Sequence, residues 1–304
     1  MVESAIVMVY NFIVKYKSME KNIKWLLEEK YNNKPTPQFK KDIKRLKKGE
    51  PLDYIIGFYE FLGCKIDLSK KPLIPRPETE FWVDLAIKDI YSDFDGRQNR
   101  SIKVLDIFAG SGCIGIAALK HIKNAKVTFT EIDKKFIKQI KINLKLNSIK
   151  SNRYKIVKSD IFSNVPLYTL SRPQGYILRK NMDMNKFDYI FANPPYIPDY
   201  RSNPSARLRT ILRNRVQESV LKYEPHKALF GGSDGLFYIK NFLKEAKNFL
   251  NLNGKIYMEF DSAQKSKIEK LLKEYGYKNW EFHKDQYKKW RYLTITNKYI
   301  RIID

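Results

Sequence analysis

Cysteine and histidine are scarce. The 304 residues hold two cysteines, Cys64 and Cys113, and three histidines, His121, His226 and His283. Two cysteines far apart in the chain do not make the dense disulfide framework of small secreted proteins, so a reducing compartment is expected. Neither residue type has the short spacing of a metal site, and no metal is expected. Acidic residues are outnumbered, 33 against 58 lysines and arginines, for a net charge of +25. Because lysine is spread through nearly every segment rather than gathered in one stripe, the excess reads first as composition. An anionic partner is the sharper alternative. Long hydrophobic runs are missing too. The stretch Ala5 to Val14 is interrupted by Asn11 and is too short to span a bilayer. No small-residue cleavage site follows it, so neither a secretory signal nor a membrane span is expected. Glu3 and Glu20, with no arginine before Arg45, also make a poor organellar presequence.

What is present falls into three blocks. Residues 1–50 carry apolar residues at helical spacing over Ile6 to Tyr16 and Ile23 to Leu27, broken by Pro35 and Pro37, then a basic amphipathic segment from Phe39 to Lys48. This predicts a small helical domain suited to partner binding. Residues 51–82 change character: Gly57 and Gly63 bracket an aromatic strand and Lys65 to Leu68 alternates as a second, which predicts a β-hairpin linker. Pro75 to Glu80 then leads into a helix, with Glu78 or Thr79 as its cap. Arg76 and Glu80 are expected either to pair at the surface or to shape a site between domains. Residues 83–304 form the third block.

From residue 101, strands alternate with helices: Ile102 to Ile107, Val127 to Thr130, Tyr154 to Lys158, Phe187 to Ala192 and, after a helix over Leu236 to Leu250, Lys255 to Phe260. A helix from Asp133 to Asn147, one from Ser262 to Tyr275, and a closing hairpin of Trp280 to Lys284 with Arg291 to Thr296 complete the pattern. This is an α/β sheet with helices on both faces. Ligands of such sheets lie at the carboxyl ends of the strands, where Asp106, Glu131, Asp160 and Asn193 fall. Two connections, Pro166 to Lys186 and the arginine-rich Asp199 to Leu221, are long for a compact domain; the second is open as a lid or as an anion-binding patch.

The stretch Phe191-Ala192-Asn193-Pro194-Pro195-Tyr196 has a distinct physical character. Two consecutive prolines fix φ and remove two donors, and the residue before a proline is held extended. Asn193 is therefore presented on a stiff support. Its side-chain amide, the Pro194 carbonyl and the Tyr196 ring make a small clamp for a planar NH2 group. Glycine concentrates in two other places, Gly110-Gly112-Gly115 and Gly231-Gly232-Gly235. The first joins a strand to a helix, a site that suits phosphate. The spacing is not the dinucleotide one, there is no Gly-Lys-Ser/Thr, and Asp106 would repel phosphate. A zwitterionic ligand without phosphate fits better, such as S-adenosyl-L-methionine, with Glu131 on its ribose and Asp160-Ile161 beside its adenine.

Asp106-x-Phe108-Ala109-Gly110-Ser111-Gly112 with Asn193-Pro194-Pro195-Tyr196 resembles the cofactor loop and acceptor motif of class I methyltransferases acting on planar NH2 groups. Pro72 to Glu80, Glu224 to Leu236 and Pro51 to Gly57 resemble, more narrowly, the release factor glutamine N5-methyltransferases (HemK/PrmC family). The resemblance spans roughly residues 50–265 and is weak before residue 50. It implies a Rossmann-like, seven-stranded α/β methyltransferase sheet, a helical N-terminal domain and a hairpin linker. It implies S-adenosyl-L-methionine as methyl donor and, as acceptor, the glutamine of the Gly-Gly-Gln loop of a class-1 translation release factor. Phe108, Ala109, Gly110, Ser111 and Gly112 would then line the methionine part of the cofactor, with Asp106, Glu131, Asp160, Ile161 and Asn193 completing its site. Asn193, Pro194, Pro195 and Tyr196 would hold the glutamine amide and act in catalysis, and Arg76, Glu80 and Glu224 would contribute to substrate binding. Phe108 stands where many relatives have glycine, Glu131 where aspartate is usual, and Trp290 where glycine is common; no glycine follows Glu259. The Phe-x-Gly form and the long insertions look more like the mitochondrial branch, which favours a mitochondrial matrix location over a bacterial cytoplasm. A monomer is expected, with nucleic-acid contact allowed but not required. Two other readings remain open at this point: a nucleic-acid adenine N6-methyltransferase, and a non-catalytic protein that binds release factors or ribosomes.

Overall fold

The computed structural model describes residues 18–93, 100–166, 186–202, 210 and 216–297. The expected helix over Ile6 to Tyr16, most of the Pro166 to Lys186 connection, and Arg207, Arg209, Arg213 and Arg215 lie outside the described residues.

Among the described residues, three helices lead: α1 (residues 18–31), α2 (Pro37–Lys47) and α3 (Leu52–Ile56). The Thr36 hydroxyl accepts from Phe39 N, and Pro37 opens α2 where no N–H is needed. Leu26, Phe39, Leu46 and Ile55 form a small core of their own. Asp42, which reads in sequence as one more charge on a basic helix, is fully buried and accepts from Lys30, Tyr31 and Arg45. These donors hold its carboxyl down at about 2, against the opposing cost of burial.

The hairpin follows: β1 (Phe58–Phe61) pairs antiparallel with β2 (Cys64–Asp67). Leu62 and Gly63 both take positive φ, as a two-residue turn between twisted strands requires. β2 would present an open edge. Three amide side chains one turn apart on helix α6 (Lys134–Leu146) and its C-cap satisfy that edge: Gln139 accepts from Lys70 N, Asn143 from Asp67 N, and Asn147 both accepts from and donates to the Lys65 backbone. The hairpin is thereby hydrogen-bonded to the sheet domain.

That domain holds α4 (Pro77–Asp93), β3 (Ile102–Ile107), α5 (Cys113–His121), β4 (Ala125–Glu131), α6, β5 (Tyr154–Lys158), β6 (Phe187–Ala192), α7 (Glu218–Tyr223), α8 (His226–Leu229), α9 (Phe237–Glu245), β7 (Leu250–Glu259), α10 (Lys265–Glu274), β8 (Trp280–Lys284) and β9 (Trp290–Thr296). The sheet has seven strands in the order β5-β4-β3-β6-β7-β9-β8, parallel except for β9. Period-two alternation divides its core. Val104, Tyr189, Phe191 and Tyr257 face α4, α5 and α6, whereas Leu105, Ile107, Ile190, Ala192, Ile256 and Met258 face α9 and α10. After β3 the chain winds outward through β4 and β5, then returns to the other side of β3 with β6. The switch point lies between β3 and β6, where Ile107 sits opposite Ala192. The loops that leave these two residues are the glycine loop and the Asn-Pro-Pro-Tyr stretch.

Three local expectations change. The helix expected over Leu236 to Leu250 ends at Glu245 and tightens into a short 3-10 turn, and β7 begins at Leu250 rather than Lys255. Asn253 and Gly254, which fall between the expected helix and strand, form an irregularity inside the strand. Asn253 is left-handed, and a Cβ on Gly254 would lie 2.9 Å from Asp188 O. Thr79 does not cap α4; its hydroxyl donates instead to Glu259 Oε2. Arg76 does not pair with Glu80. It pairs with Glu224 at 2.6 Å, and Glu80 accepts from Leu62 N in the hairpin turn. Spacing on one helix cannot reveal a partner 148 residues away.

Candidate functional site

A cavity of about 600 Å3 opens at the switch point, lined from the glycine loop (Phe108, Ala109, Gly110, Ser111), the ends of β4 and β5 (Glu131, Asp160, Ile161), the Asn193-Pro195 turn and the loop Leu73 to Arg76. The glycine loop takes its shape from three left-handed residues, Phe108, Gly110 and Gly112, the last opening α5. Phe108 pays the steric cost of that conformation and packs edge-on against Tyr238 of α9. Gly115 is required for space: a Cβ there would lie 2.3 Å from the Phe129 ring.

Asp106 lies beneath this loop, 1 % exposed. Its Oδ2 accepts from Gly115 N, and its Oδ1 is buried with no hydrogen-bond partner among the described residues. Burial drives its carboxyl up to about 7. At the end of β4, Glu131 accepts from Gly110 N through Oε2 and from Asp133 N through Oε1, and burial raises its pKa as well. Those two bonds hold the carboxylate at the cavity wall with lone pairs left over for further donors. Asp133 is the N-cap of α6, accepting from Lys135 N, and it too lines the cavity. The Thr130 hydroxyl, also on the wall, is buried without a partner among the described residues. Exposed Ile132 and Phe237 stand at the mouth.

The Asn-Pro-Pro-Tyr turn is supported from below. Its continuation bridges in parallel to Phe230, with Ile197 N donating to Leu229 O and Gly231 N to Ile197 O. Gly231 and Gly235 lie directly against it: a Cβ on Gly231 would be 2.4 Å from Pro195 O, and one on Gly235 2.2 Å from Tyr196 O. Gln264 Nε2 donates to Tyr196 O and to Gly235 O. The second glycine group, unassigned in the sequence, therefore exists to let backbone approach backbone here.

Four residues gather behind the turn. Glu259, at the carboxyl end of β7 and 1 % exposed, accepts from Thr79 Oγ1 at 2.7 Å, Trp82 Nε1 at 2.8 Å and Tyr196 OH at 2.9 Å. Burial, and then the Glu259 charge, push the Tyr196 phenol well above its usual range, so Tyr196 stays a neutral donor. Asn193 Nδ2 reaches Thr79 Oγ1 at 3.4 Å. Thr79, Trp82 and Glu259 are absent from the sequence-derived site. The available signal was a charged residue ending an otherwise apolar strand, the same one that marks Asp106 and Glu131.

Among the sequence-derived residues, Arg76, Phe108, Ala109, Gly110, Ser111, Glu131, Asp160, Ile161, Asn193 and Pro195 line the cavity. Asp106 and Gly112 shape the loop from beneath, and Pro194 and Tyr196 continue the turn behind the wall. Glu224 is buried and holds the entrance loop, accepting from Ile74 N and pairing with Arg76. Glu80 is turned to the hairpin and does not line the cavity.

A family model described as conserved hypothetical protein 95 matches residues 89–214. Curated relatives match over longer spans. A release factor glutamine methyltransferase of Francisella tularensis is 30% identical over 91% of this chain and 80% of its own length. One of Clostridium botulinum is 30% identical over 75% of this chain and 69% of its own. Among solved structures, the hMettl16 catalytic domain in complex with MAT2A 3'UTR hairpin 6 superposes with a TM-score of 0.51 at 18% identity, covering 79% of this chain and 77% of that one. At that identity the likeness is one of fold, a class I methyltransferase sheet. On sequence identity sustained over most of both chains, and with the acceptor turn and glycine loop set side by side at the switch point, this chain belongs to the release factor glutamine methyltransferase family.

Proposed function

We propose that this chain transfers a methyl group from S-adenosyl-L-methionine to the side-chain amide nitrogen of the glutamine in the Gly-Gly-Gln loop of a class-1 translation release factor. The observation that carries it is the place of Asn193 on the wall of the switch-point cavity, beside the glycine loop and Glu131. The cavity residues fit the methyl donor. Glu131 keeps lone pairs for the two ribose hydroxyls. The unpartnered Thr130 hydroxyl offers a polar partner on the cavity wall, and no lysine in the glycine loop calls for a phosphate. When bound there, S-adenosyl-L-methionine supplies a methyl group already activated as a sulfonium.

An amide nitrogen is a weak nucleophile because its lone pair is delocalised into the carbonyl. Acceptors at Asn193 Oδ1 and Pro194 O hold both N–H bonds and favour positive charge developing on nitrogen. The nitrogen lone pair takes the methyl as the carbon–sulfur bond breaks, with the bonding pair left on sulfur. The surplus N–H proton passes to water. Two prolines below and two glycines behind keep the acceptors from rearranging during the reaction. Tyr196, its hydroxyl held by Glu259, anchors the acceptor turn from behind.

The test is transfer of labelled methyl to a matched release factor, with an RNA and a DNA as competing acceptors. Label is expected on the release factor, and Asn193→Ala should lower kcat by roughly 100-fold or more while the affinity for the methyl donor changes little. Label on nucleic acid alone, or undiminished turnover in Asn193→Ala, would overturn the reading.

A further inference from the structure

Asn193 is useful to an incoming NH2 group only if its oxygen faces the cavity. An amide turned by 180° offers NH2 to NH2, two donors facing each other. In water these two orientations are nearly equal in energy, so something in the fold must choose. The chain of bonds behind the acceptor turn makes that choice one atom at a time.

Trp82 Nε1 can only donate, so Glu259 Oε2, 2.8 Å away, is an acceptor. Thr79 Oγ1 lies 2.7 Å from the same oxygen, so the single hydroxyl proton of Thr79 is directed to Glu259. With its proton committed, Thr79 Oγ1 can only accept from Asn193, and the atom facing it at 3.4 Å is Nδ2. Tyr196 OH completes the set by donating to Glu259 Oε1 at 2.9 Å. Asn193 lines the cavity, so with Nδ2 engaged by Thr79 its Oδ1 is the amide atom left for a ligand there. Glu259 and Thr79 are themselves almost fully buried.

We propose that Glu259, acting through Thr79, is a positioning device that fixes the flip state of Asn193 and so selects an acceptor that carries an NH2 donor. The lock rests on the proposed function for the identity of that acceptor. It imposes a polarity on the site: a group that presents a carbonyl or ether oxygen in place of NH2 meets an oxygen and is refused. Neither Glu259 nor Thr79 touches the reacting atoms; both act through Asn193.

The decisive variant is Thr79→Val, which has the same shape without the hydroxyl, with Thr79→Ser as the conservative rescue. Thr79→Val is expected to lower kcat roughly tenfold or more, with the KM for the methyl donor close to wild type and the thermal midpoint lowered, because the buried Glu259 carboxylate loses a donor. Thr79→Ser should return kcat to within about threefold. In an Asn193→Ala background there is no amide to turn, so adding Thr79→Val should change kcat by less than about twofold. Solvent exchange of the Asn193 side-chain NH2, followed by NMR in the free protein, reads the lock with no acceptor present: slowed in wild type and fast in Thr79→Val. Equal losses from Thr79→Val in both backgrounds, wild-type kcat in Thr79→Val, or equal amide exchange in the two proteins would overturn the lock. Because the exchange measurement needs no substrate, a wild-type protein that fails to label a release factor counts against the proposed function alone.

Discussion

Gly235→Ala isolates what the second glycine group does for the acceptor turn. The added methyl would sit 2.2 Å from Tyr196 O and 2.7 Å from Gln264 Nε2. Carbon and oxygen do not approach closer than about 3 Å without strain, so the backbone at Tyr196 must retreat by roughly 1 Å. A displacement of that size in a positioning element costs on the order of 100-fold in rate. Gly235 also has φ +73°, which a side chain pays for with about 1–2 kcal/mol, and overpacking adds about 1–3 kcal/mol. Gly276 supplies the control. Its φ is +72°, and a Cβ there meets nothing within 4 Å, so Gly276→Ala carries the backbone strain without the collision. Both variants should lose stability in denaturant titration, Gly235→Ala the more. In single-turnover methyl transfer at saturating donor, only Gly235→Ala should be slow, roughly 100-fold below wild type. A Gly235→Ala enzyme no slower than Gly276→Ala would refute the idea that this glycine holds the turn in place.

Two further outcomes follow from buried charge. The Asp106 carboxyl has a folded pKa of about 7 against 3.8 when unfolded. The native state therefore binds the extra proton between these values, so stability contributed at this position falls as pH rises from about 4 to 7 and levels off above. Asp106→Asn should flatten that decline in urea titrations at pH 5 and pH 7.5; an unchanged slope would place the titration elsewhere. Arg76→Ala strands the buried Glu224 carboxylate, whose partner is about a third exposed, so a loss of about 1–3 kcal/mol is expected. Adding Glu224→Gln should restore part of it, and a double variant as unstable as Arg76→Ala would show that the pair is not what holds the entrance loop.

Much of the fold is legible in the amino-acid sequence. Parallel strands buried on both faces read as near-continuous apolar runs, and β3 and β6 stand where those runs stand, whereas β4 and the edge strand β5 were marked by their place in the strand–helix alternation. The polar residues that end them, Asp106, Glu131, Asp160 and Asn193, needed only the rule that ligands gather at carboxyl ends. What misled was local: the strand expected from Lys255 begins at Leu250, because the left-handed Asn253 and the following Gly254 interrupt the alternation inside β7 without ending it. Thr79 has the chemistry of a helix cap, but a buried carboxylate competes for its hydroxyl and wins.

The sequence by itself determined which groups could do chemistry: an amide on a double-proline support, a glycine loop without a phosphate-binding lysine, and acidic strand ends. Only the tertiary structure decided which groups act together. Thr79, Trp82, Asn193, Tyr196 and Glu259 come from α4, from the turn after β6 and from the end of β7, up to 180 residues apart. Hydrogen bonds act over about 3 Å, and separation along the chain carries no information on that scale until the sheet order has placed β3, β6 and β7 side by side. The direction in which each proton points, and with it the face that Asn193 shows to its substrate, is a property of that assembled cluster and of no segment within it.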